Sequence, residues 1–395
     1  MGAYFYSYLN TAQVILSSYK FEQPFHVHLK SFFKRNKKYG SRDRKYISNL
    51  CFGFFRIGDA ANDLTFKDQV IIGYFLSHEF DNGFLATLQP SWVDKIQLTI
   101  EEKLYFLQSV YSAFNQQHLF PGIENLTLGI DAKSILQHHF YQPDFFIRAR
   151  PGKRLLIEKK LVKHEIPYTA IGESALKLAS GIDLQSLLEI DKEAVVQDIS
   201  SQLTIDYFPS FNNENVAVWD ACAGSGGKSI MAVDFYKQVQ LNVSDIREDI
   251  LDELSRRFTA ASIKAQSIFC TDLQQRLSKQ VVDAHLPIGG VDLIIADVPC
   301  TGSGTWGRSP EWLKGFDLDL IESYQNRQKK IITNLPQHLK QGGYLLYITC
   351  SVYRQENEEV TNFLKSKSEL SLVKQGVLHH EGGDYLFAAL LKKER

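Results

Sequence analysis

The sequence predicts an α/β protein in three parts: a helical domain over residues 1–138, a small α/β module over residues 139–205 and a parallel-sheet domain over residues 206–395. Apolar residues recur at spacings of three and four through the first third, and short mixed segments follow. Strand-length apolar runs then alternate with helical stretches, which is typical of a parallel sheet with crossover helices. The length of 395 residues is also more than one domain usually needs.

The N-terminal part is predicted to be helical because no strand-length alternation interrupts its helical spacing. It contains a basic run in which eight cations and one acid, Asp43, fall within sixteen positions. The cations are Lys30, Lys34, Arg35, Lys37, Lys38, Arg42, Arg44 and Lys45. Such a run is either a phosphate-facing patch or a solvated helix face, and both interpretations stay open.

The middle part is predicted to be a small α/β module rather than a linker. Apolar residues such as Phe146, Leu155 and Leu161 persist on both sides of the turn at Pro151 and Gly152. The stretch is basic, with cations at Arg148, Arg150, Lys153, Arg154, Lys159, Lys160 and Lys163. We therefore expect this module to bind RNA.

The C-terminal part is predicted to hold parallel strands separated by helices. The apolar runs that predict strands are 216–219, 241–243, 267–269, 291–296 and 344–348. Ligands of such sheets bind at the carboxyl ends of the strands, so we expect the functional site there.

Composition excludes several classes of protein. Apolar residues make up 44% and charged residues 23%, which is ordinary for a globular chain, and the net charge of −1 indicates no global affinity for polyanions. Five scattered cysteines without a CxxC pair predict neither a disulfide framework nor a structural metal site. No stretch approaches the roughly 20 apolar residues of a membrane span. We expect a cytoplasmic monomer that binds no membrane.

A glycine-rich turn follows the first predicted strand and opens a helix. It consists of Cys222, Ala223, Gly224, Ser225, Gly226, Gly227 and Lys228. Its glycines allow a tight turn and a close approach of the backbone to a ligand. Asp245 ends the next strand 18 positions after Gly227, where an acid accepts ribose hydroxyls, and Asp272 follows the third strand, where an acid can accept an adenine amine.

Three ligands compete for this turn. A phosphate loop for ATP requires glycine at position 222, which is Cys222 here, and a dinucleotide fingerprint requires glycine or alanine at position 229, which is Ser229. S-adenosylmethionine has no pyrophosphate and needs only space, an acid for its ribose and an acid for its adenine. The pattern therefore favours S-adenosylmethionine.

Two cysteines end predicted strands downstream, Cys300 in Asp-Val-Pro-Cys and Cys350 in Ile-Thr-Cys-Ser. A thiolate can add to C6 of a pyrimidine and make C5 nucleophilic, and a second thiol can move a proton in the same site. Asp297, three positions before Cys300, can stabilise the charge that spreads into the ring. This set predicts covalent methyl transfer to a pyrimidine, and spacing alone does not say which cysteine attacks.

These motifs resemble the RsmB/NOP2/NSUN family of RNA 5-methylcytosine methyltransferases, which have a class I, Rossmann-like sheet. The likeness covers residues 140–395: the turn at 220–229 resembles the family's cofactor loop, 297–300 its proline-cysteine motif and 349–351 its threonine-cysteine motif. Residues 196–202 and 383–387 are similar to the segment before the catalytic domain and to the closing strand. Residues 41–44 and 50–56 look like the NusB-type RNA-binding domain of some members.

The resemblance implies a role for each site residue. Cys350 corresponds to the nucleophile, Cys300 assists product release, and Asp297 contacts the base and borders the cofactor. Lys228 and Asp245 border S-adenosylmethionine, and Asp272 contacts its adenine. The substrate implied is a cytosine in ribosomal or transfer RNA.

Two segments depart from the family pattern. Gly224 and Ser225 stand where Ala-Pro is usual, and residues 301–312 differ from the commoner sequence. In that segment Trp306 is expected either to stack on a base or to pack, and Arg308 either to hold a phosphate or to pack.

An RNA-binding ribosome-assembly factor without catalysis is the alternative function, although the cysteines and acids speak against it. A nicotinamide-dependent oxidoreductase is disfavoured by Ser229 and explains neither cysteine.

Overall fold

The computed structural model describes residues 3–212 and 215–394. The chain divides into two units. The helical unit comprises residues 1–124, 131–142 and 305–318, and the sheet unit comprises residues 125–130, 143–304 and 319–395.

The helical unit is built from α-helices around one apolar core. They are α1 (Ala3–Ser18), α2 (Phe25–Arg35), α3 (Ser41–Arg56), α4 (Phe66–Ser77), α5 (Phe84–Leu88), α6 (Ile100–Val110) and α7 (Ala132–Phe140). The helical spacing of the sequence is confirmed, and most of its aromatic residues pack in this core, whereas Tyr105 and Phe80 are exposed. Among the described residues no helix combines the length and apolar character that a membrane span requires.

Helices α3 and α4 approach each other at two glycines. A Cβ atom on Gly73 would lie 2.3 Å from the carbonyl oxygen of Gly53, so only glycine fits there. Side-chain caps fix where the neighbouring helices begin: Thr65 accepts the amide of Asp68 at the start of α4, and Thr99 forms a capping box with Glu102 at the start of α6.

The sheet unit begins with a small α/β layer. Its elements are β1 (Phe145–Ala149), α8 (Arg154–Lys163), β2 (Tyr168–Ile171), β3 (Ala175–Leu178), β4 (Ala194–Val196) and α9 (Ile199–Gln202). The strands form an antiparallel sheet in the order β2-β3-β1-β4. Helix α8 buries Ile157 and Leu161 in the same core as Ile147 and Leu176. The predicted mixture of short strands and helices is present in this layer, and the domain bounds of 139–205 stay a prediction.

The rest of the sheet unit alternates strands and helices. In chain order these are β5 (Val216–Asp220), α10 (Gly227–Phe235), β6 (Val239–Asp245), α11 (Glu248–Ala260), β7 (Ser267–Cys270), α12 (Lys279–His285), β8 (Val291–Asp297), α13 (Asp319–Thr333), β9 (Leu339–Thr349), α14 (Glu358–Lys367), β10 (Leu370–His379) and β11 (Tyr385–Lys393). The strand runs predicted from the sequence all fall within strands.

Within the described residues these strands form a seven-stranded sheet in the order β10-β11-β9-β8-β5-β6-β7. Strands β5 to β9 pair in parallel, which confirms the Rossmann-like fold class. Strands β10 and β11 add an antiparallel edge, with Phe387 of β11 opposite Thr349 of β9. The strand order reverses at β5, so a crevice is expected beyond its carboxyl end.

The basic stretch of the small layer mostly forms ion pairs inside the sheet unit. Arg148 and Arg150 both bind Asp234 of α10, at 2.6 and 2.8 Å, and this carboxylate is almost fully buried. Lys160 pairs with Glu193 at 2.7 Å. Arg148 and Arg150 therefore fix the layer onto α10, Lys160 forms its ion pair within the layer, and the three cations already have acidic partners.

Candidate active site

A cavity of about 710 Å³ lies at the carboxyl edge of the parallel strands, within the range of small-molecule sites. The ends of β5, β6, β7 and β8 contribute to its wall, together with the glycine-rich turn. Every site residue expected from the sequence lines this cavity except Gly226. Those lining residues are Cys222, Ala223, Gly224, Ser225, Gly227, Lys228, Asp245, Asp272, Asp297, Cys300 and Cys350.

Gly226 lies on the side of the turn that packs against α11. Its φ of 86° lies in the left-handed region, and a Cβ atom there would meet the ring of Phe258 at 2.8 Å and Leu254 at 3.1 Å. Gly227 faces open space, because the nearest atom to its added Cβ would be Nε2 of Gln197 at 4.0 Å. The turn is therefore closely packed against α11 and open towards the cavity.

Asp245 is buried at the end of β6, and its carboxylate is fully hydrogen-bonded. Oδ2 accepts the amide of Gly224 at 2.9 Å, and Oδ1 accepts the amide and Nε of Arg247, both at 3.0 Å. Burial acts to raise the pKa of Asp245, but these hydrogen bonds lower it below its ordinary value overall. The side chain of Arg247 is more than half exposed.

Three arginines line the cavity, Arg247, Arg257 and Arg327, and none of them was predicted from the sequence. Arg247 contacts Asp245, and Arg257 of α11 donates to the carbonyl oxygen of Ser225 at 2.8 Å while it pairs with Asp191 at 2.7 Å. Arg257 thereby holds the glycine-rich turn from the side. Its only sequence signal is a charged residue on an amphipathic helix, which does not distinguish a site residue from a solvated one.

Asp220 ends β5 beneath the turn and is completely buried. Its Oδ2 accepts the hydroxyl of Ser229 at 2.6 Å, and its Oδ1 has no hydrogen-bond partner among the described residues. Burial raises the pKa of Asp220 to about 7. Asp220 also lines the cavity, so it is a further polar group that the sequence reasoning missed.

Lys228 links the turn to the proline-cysteine loop. Its Nζ donates to Oδ2 of Asp297 at 2.6 Å, and the Asp297 side chain is 34% exposed towards the cavity. Burial alone would lower the pKa of Lys228, but the pairing with Asp297 raises it, so the amine stays charged.

Cys300 and Cys350 lie side by side in the wall of the cavity. Their Sγ atoms lie 3.3 Å apart although the residues are 50 positions apart in the chain. The hydrogen bond to Cys350 and burial raise the pKa of the Cys300 thiol well above its usual value. The raised pKa of Cys300 favours the protonated form of this thiol.

The segment after Cys300 enters the helical unit. Trp306 is 1% exposed and packs against Phe120 and Phe316, with ring centroids 5.1 and 4.8 Å away. Of the two interpretations of Trp306, packing is therefore correct and stacking on a base is wrong. The side chain of Arg308 is half-buried, and its role stays a prediction.

In the helical unit, all eight cations of the basic run at Lys30 to Lys45 are exposed. Its one acid is already engaged, because Asp43 accepts the hydroxyl of Tyr8 and the amide of Gly40. Among the described residues none of the eight cations forms an ion pair.

The chain is similar to proteins described as ribosomal RNA methyltransferases. Residues 209–390 match the family model described as 16S rRNA methyltransferase RsmB/F. The chain is 26% identical over 331 residues to the ribosomal RNA small subunit methyltransferase B of Pectobacterium carotovorum subsp. carotovorum (strain PC1), covering 79% of this chain and 72% of the relative.

Two solved structures share the fold. The crystal structure of PH0851 has a TM-score of 0.68 at 18% identity and covers 98% of this chain and 97% of its own. The structure of NSun6 from Pyrococcus horikoshii with SFG has a TM-score of 0.58 at 15% identity and covers 69% of this chain and 97% of its own.

Proposed function

The chain belongs to the RsmB/NOP2/NSUN family of S-adenosylmethionine-dependent RNA methyltransferases, and on that premise we propose that it methylates C5 of a cytosine in RNA through a covalent cysteine adduct. Ribosomal RNA is the proposed substrate, because the matching family and the similar proteins are named for it.

The distance of 3.3 Å between the Sγ atoms of Cys300 and Cys350 carries this proposal. Methylation at C5 requires a nucleophile at C6 and, later, a base for the proton on C5. Two thiols side by side in the cavity wall supply both groups. A methyltransferase that acts on an amine or a hydroxyl needs neither.

The proposed roles follow from the family resemblance and from the state of Cys300. The raised pKa of Cys300 favours its protonated form, and its Sγ lies 3.3 Å from Sγ of Cys350, the residue proposed to attack. The Cys350 thiolate forms a bond from Sγ to C6 of the base, and C5 becomes the nucleophile. Bonding of Cys350 Sγ to C6 removes the negative charge beside Cys300, so Cys300 can then lose its proton to solvent and, after methylation, take the proton from C5. The bond between Sγ and C6 then breaks, which releases the base and regenerates the Cys350 thiolate.

Asp297 is proposed to contact the cytosine. Its carboxylate reaches into the cavity three residues before Cys300, and Lys228 compensates its charge at 2.6 Å. A carboxyl group at this point can hydrogen-bond to the N3 and amine edge of the base and stabilise the charge that the addition at C6 produces.

The residues of the cavity fit S-adenosylmethionine. Gly227 leaves the space that a Cβ would fill, Asp245 offers acceptors for a ribose, and Asp272 lies at the end of the third strand for the adenine. The unpartnered Oδ1 of Asp220 adds a buried acceptor beneath the turn. When bound, the cofactor supplies an electrophilic methyl group. The NSun6 structure, which shares this fold, was determined with SFG, an analogue of that cofactor.

The basic run of the helical unit is proposed to bind RNA phosphates. Eight exposed cations without ion pairs among the described residues form a positive surface that the overall charge of −1 hides. In contrast, Arg148 and Arg150 of the small layer are already paired with Asp234, so Lys153, Lys159 and Lys163 are the cations that this layer can offer.

Nucleoside analysis tests the proposed reaction. The protein is incubated with S-adenosylmethionine carrying a labelled methyl group and with unmodified small-subunit ribosomal RNA, and the digested nucleosides are separated by mass spectrometry. The proposal predicts label in 5-methylcytidine. Label in another nucleoside would contradict the C5 assignment, and cofactor binding without any label would favour the non-catalytic assembly factor.

A further inference from the structure

The carboxylate of Glu356 lies buried between the two cysteine loops, with no exposed surface. Oε1 accepts the amide of Thr301 at 2.9 Å and the side-chain amide of Gln328 at 2.8 Å. Oε2 accepts the hydroxyl of Thr301 at 2.5 Å and the hydroxyl of Ser351. Thr301 follows Cys300 and Ser351 follows Cys350, so one side chain joins the residues next to both thiols.

The same loops also contact each other directly, and one of these contacts is the amide of Val352, which donates to the hydroxyl oxygen of Ser303 at 3.0 Å. The amide of Gly304 donates to the carbonyl oxygen of Cys350 at 2.8 Å, and the hydroxyls of Ser303 and Ser351 lie 3.3 Å apart. Gln328 also donates to the carbonyl oxygen of Pro299 at 3.0 Å, which extends the network to the residue before Cys300. Glu356 is thus the point at which the network converges.

The charge of Glu356 also acts on the thiols. Burial raises the pKa of Glu356, although four hydrogen bonds to its oxygens favour the ionised form. After the hydrogen bond to Cys350 and burial, the negative charge of Glu356 is a further cause that raises the pKa of Cys300. A carboxylate at this place therefore helps Cys300 to retain its proton.

We propose that Glu356 is a positioning residue, which holds Thr301 and Ser351 so that Cys300 and Cys350 stay side by side while the adduct forms and breaks. The inference rests on the proposed function for the roles of the two thiols. Glu356 does not contact the substrate, since it is enclosed by the loops that it joins.

Two substitutions of Glu356 distinguish the effect of its side-chain length from the effect of its negative charge. Glu356→Gln keeps the shape of the side chain but removes its charge and replaces one acceptor by a donor. Glu356→Asp keeps the charge but is one methylene too short to hold both loops. Glu358→Gln is the matched control, because Glu358 is a buried carboxylate on the same segment whose Oε1 accepts the amide of Leu128.

The first readout needs neither RNA nor cofactor. In a Cys350→Ala background, alkylation of Cys300 by iodoacetamide is followed against pH, with the labelled peptide identified by mass spectrometry. Loss of the negative charge in Glu356→Gln should lower the pKa of Cys300 and raise its alkylation rate at pH 7 by about tenfold. Glu356→Asp and Glu358→Gln should keep the original profile.

The second readout is methyl transfer with both cysteines present. Because a displacement of about 1 Å can cost about 100-fold in rate, both Glu356 variants should lose about 100-fold in kcat. Their affinity for S-adenosylmethionine, measured by calorimetry, should stay within about twofold, and Glu358→Gln should transfer methyl groups like the wild type.

The two readouts keep the inference separate from the proposed function. If the wild type makes no 5-methylcytidine, the proposed function fails, whereas the alkylation profile still reports whether Glu356 governs Cys300. Unchanged alkylation in Glu356→Gln, or kcat within about threefold of the wild type in Glu356→Asp, would overturn the positioning role.

Discussion

Lys228 and Asp297 join the cofactor turn to the proline-cysteine loop, with Nζ 2.6 Å from Oδ2 although the residues are 69 positions apart. The pair places one positive and one negative group at the boundary between the cofactor side and the thiol side of a single cavity. Lys228 is 11% exposed, so its charge depends on its partner.

Asp297→Asn should therefore lower the free energy of unfolding as well as abolish methyl transfer. We expect a loss of about 2 kcal/mol, less than the roughly 3–5 kcal/mol of a fully buried pair, because Asp297 is partly exposed. Urea denaturation of the single variant and of Asp297→Asn combined with Lys228→Met checks this. The double variant should regain stability without regaining activity. Recovery of methyl transfer in the double variant would show that Asp297 only neutralises Lys228.

Gly226→Ala should lower the free energy of unfolding by more than the left-handed backbone conformation of Gly226 alone explains. Gly289 has nearly the same φ, 85° against 86°, but an added Cβ there meets nothing within 4 Å. Gly289→Ala should cost about 1 kcal/mol for the left-handed conformation alone, and Gly226→Ala about 1–3 kcal/mol more for the contacts with Phe258 and Leu254. Denaturation curves of the two variants give the difference. Equal losses would contradict the steric account.

Asp220 should make stability depend on pH. Its pKa of about 7 in the folded chain is raised above the value of about 3.9 expected when unfolded. Its contribution is therefore complete below pH 4 and is lost as pH rises to 7, because the unfolded carboxyl ionises first. Relative to that of Asp220→Asn, the free energy of unfolding of the wild type should fall between pH 4 and 7 and stay constant above pH 7. A constant difference across this window would refute the raised pKa.

The basic run should contribute to the salt dependence of RNA binding. Replacing Lys34 and Lys38 by Gln should reduce the slope of log K against log salt concentration by about 1.5, because each phosphate contact contributes about 0.7–0.9. Lys20 and Lys67, exposed lysines of the same unit outside the run, provide the matched double variant. Filter binding from 50 to 300 mM salt measures both. The same slope for both double variants would remove the run from the RNA interface.

The sequence carried the parts of the site that depend on strand ends. Asp245, Asp297, Cys300 and Cys350 follow apolar runs, and parallel strands bring such ends to one edge. Glu356 and Arg257 gave no comparable signal, because their roles depend on contacts that only the folded chain creates, such as Arg257 with Ser225, 32 positions away, and Glu356 with Thr301, 55 positions away. For Trp306 the sequence gave a signal that had two meanings. An aromatic residue in a glycine-rich loop is compatible both with stacking on a base and with packing in a core.

The covalent mechanism is tested most directly by trapping. The Cys300→Ala protein is incubated with small-subunit ribosomal RNA and S-adenosylmethionine, and the mixture is separated on a denaturing gel. We predict a protein–RNA band that persists because C5 cannot be deprotonated, and that disappears in the Cys300→Ala, Cys350→Ala double variant. Free turnover by Cys300→Ala, or a band that survives in the double variant, would contradict the assignment of Cys350 as nucleophile and Cys300 as the base for release.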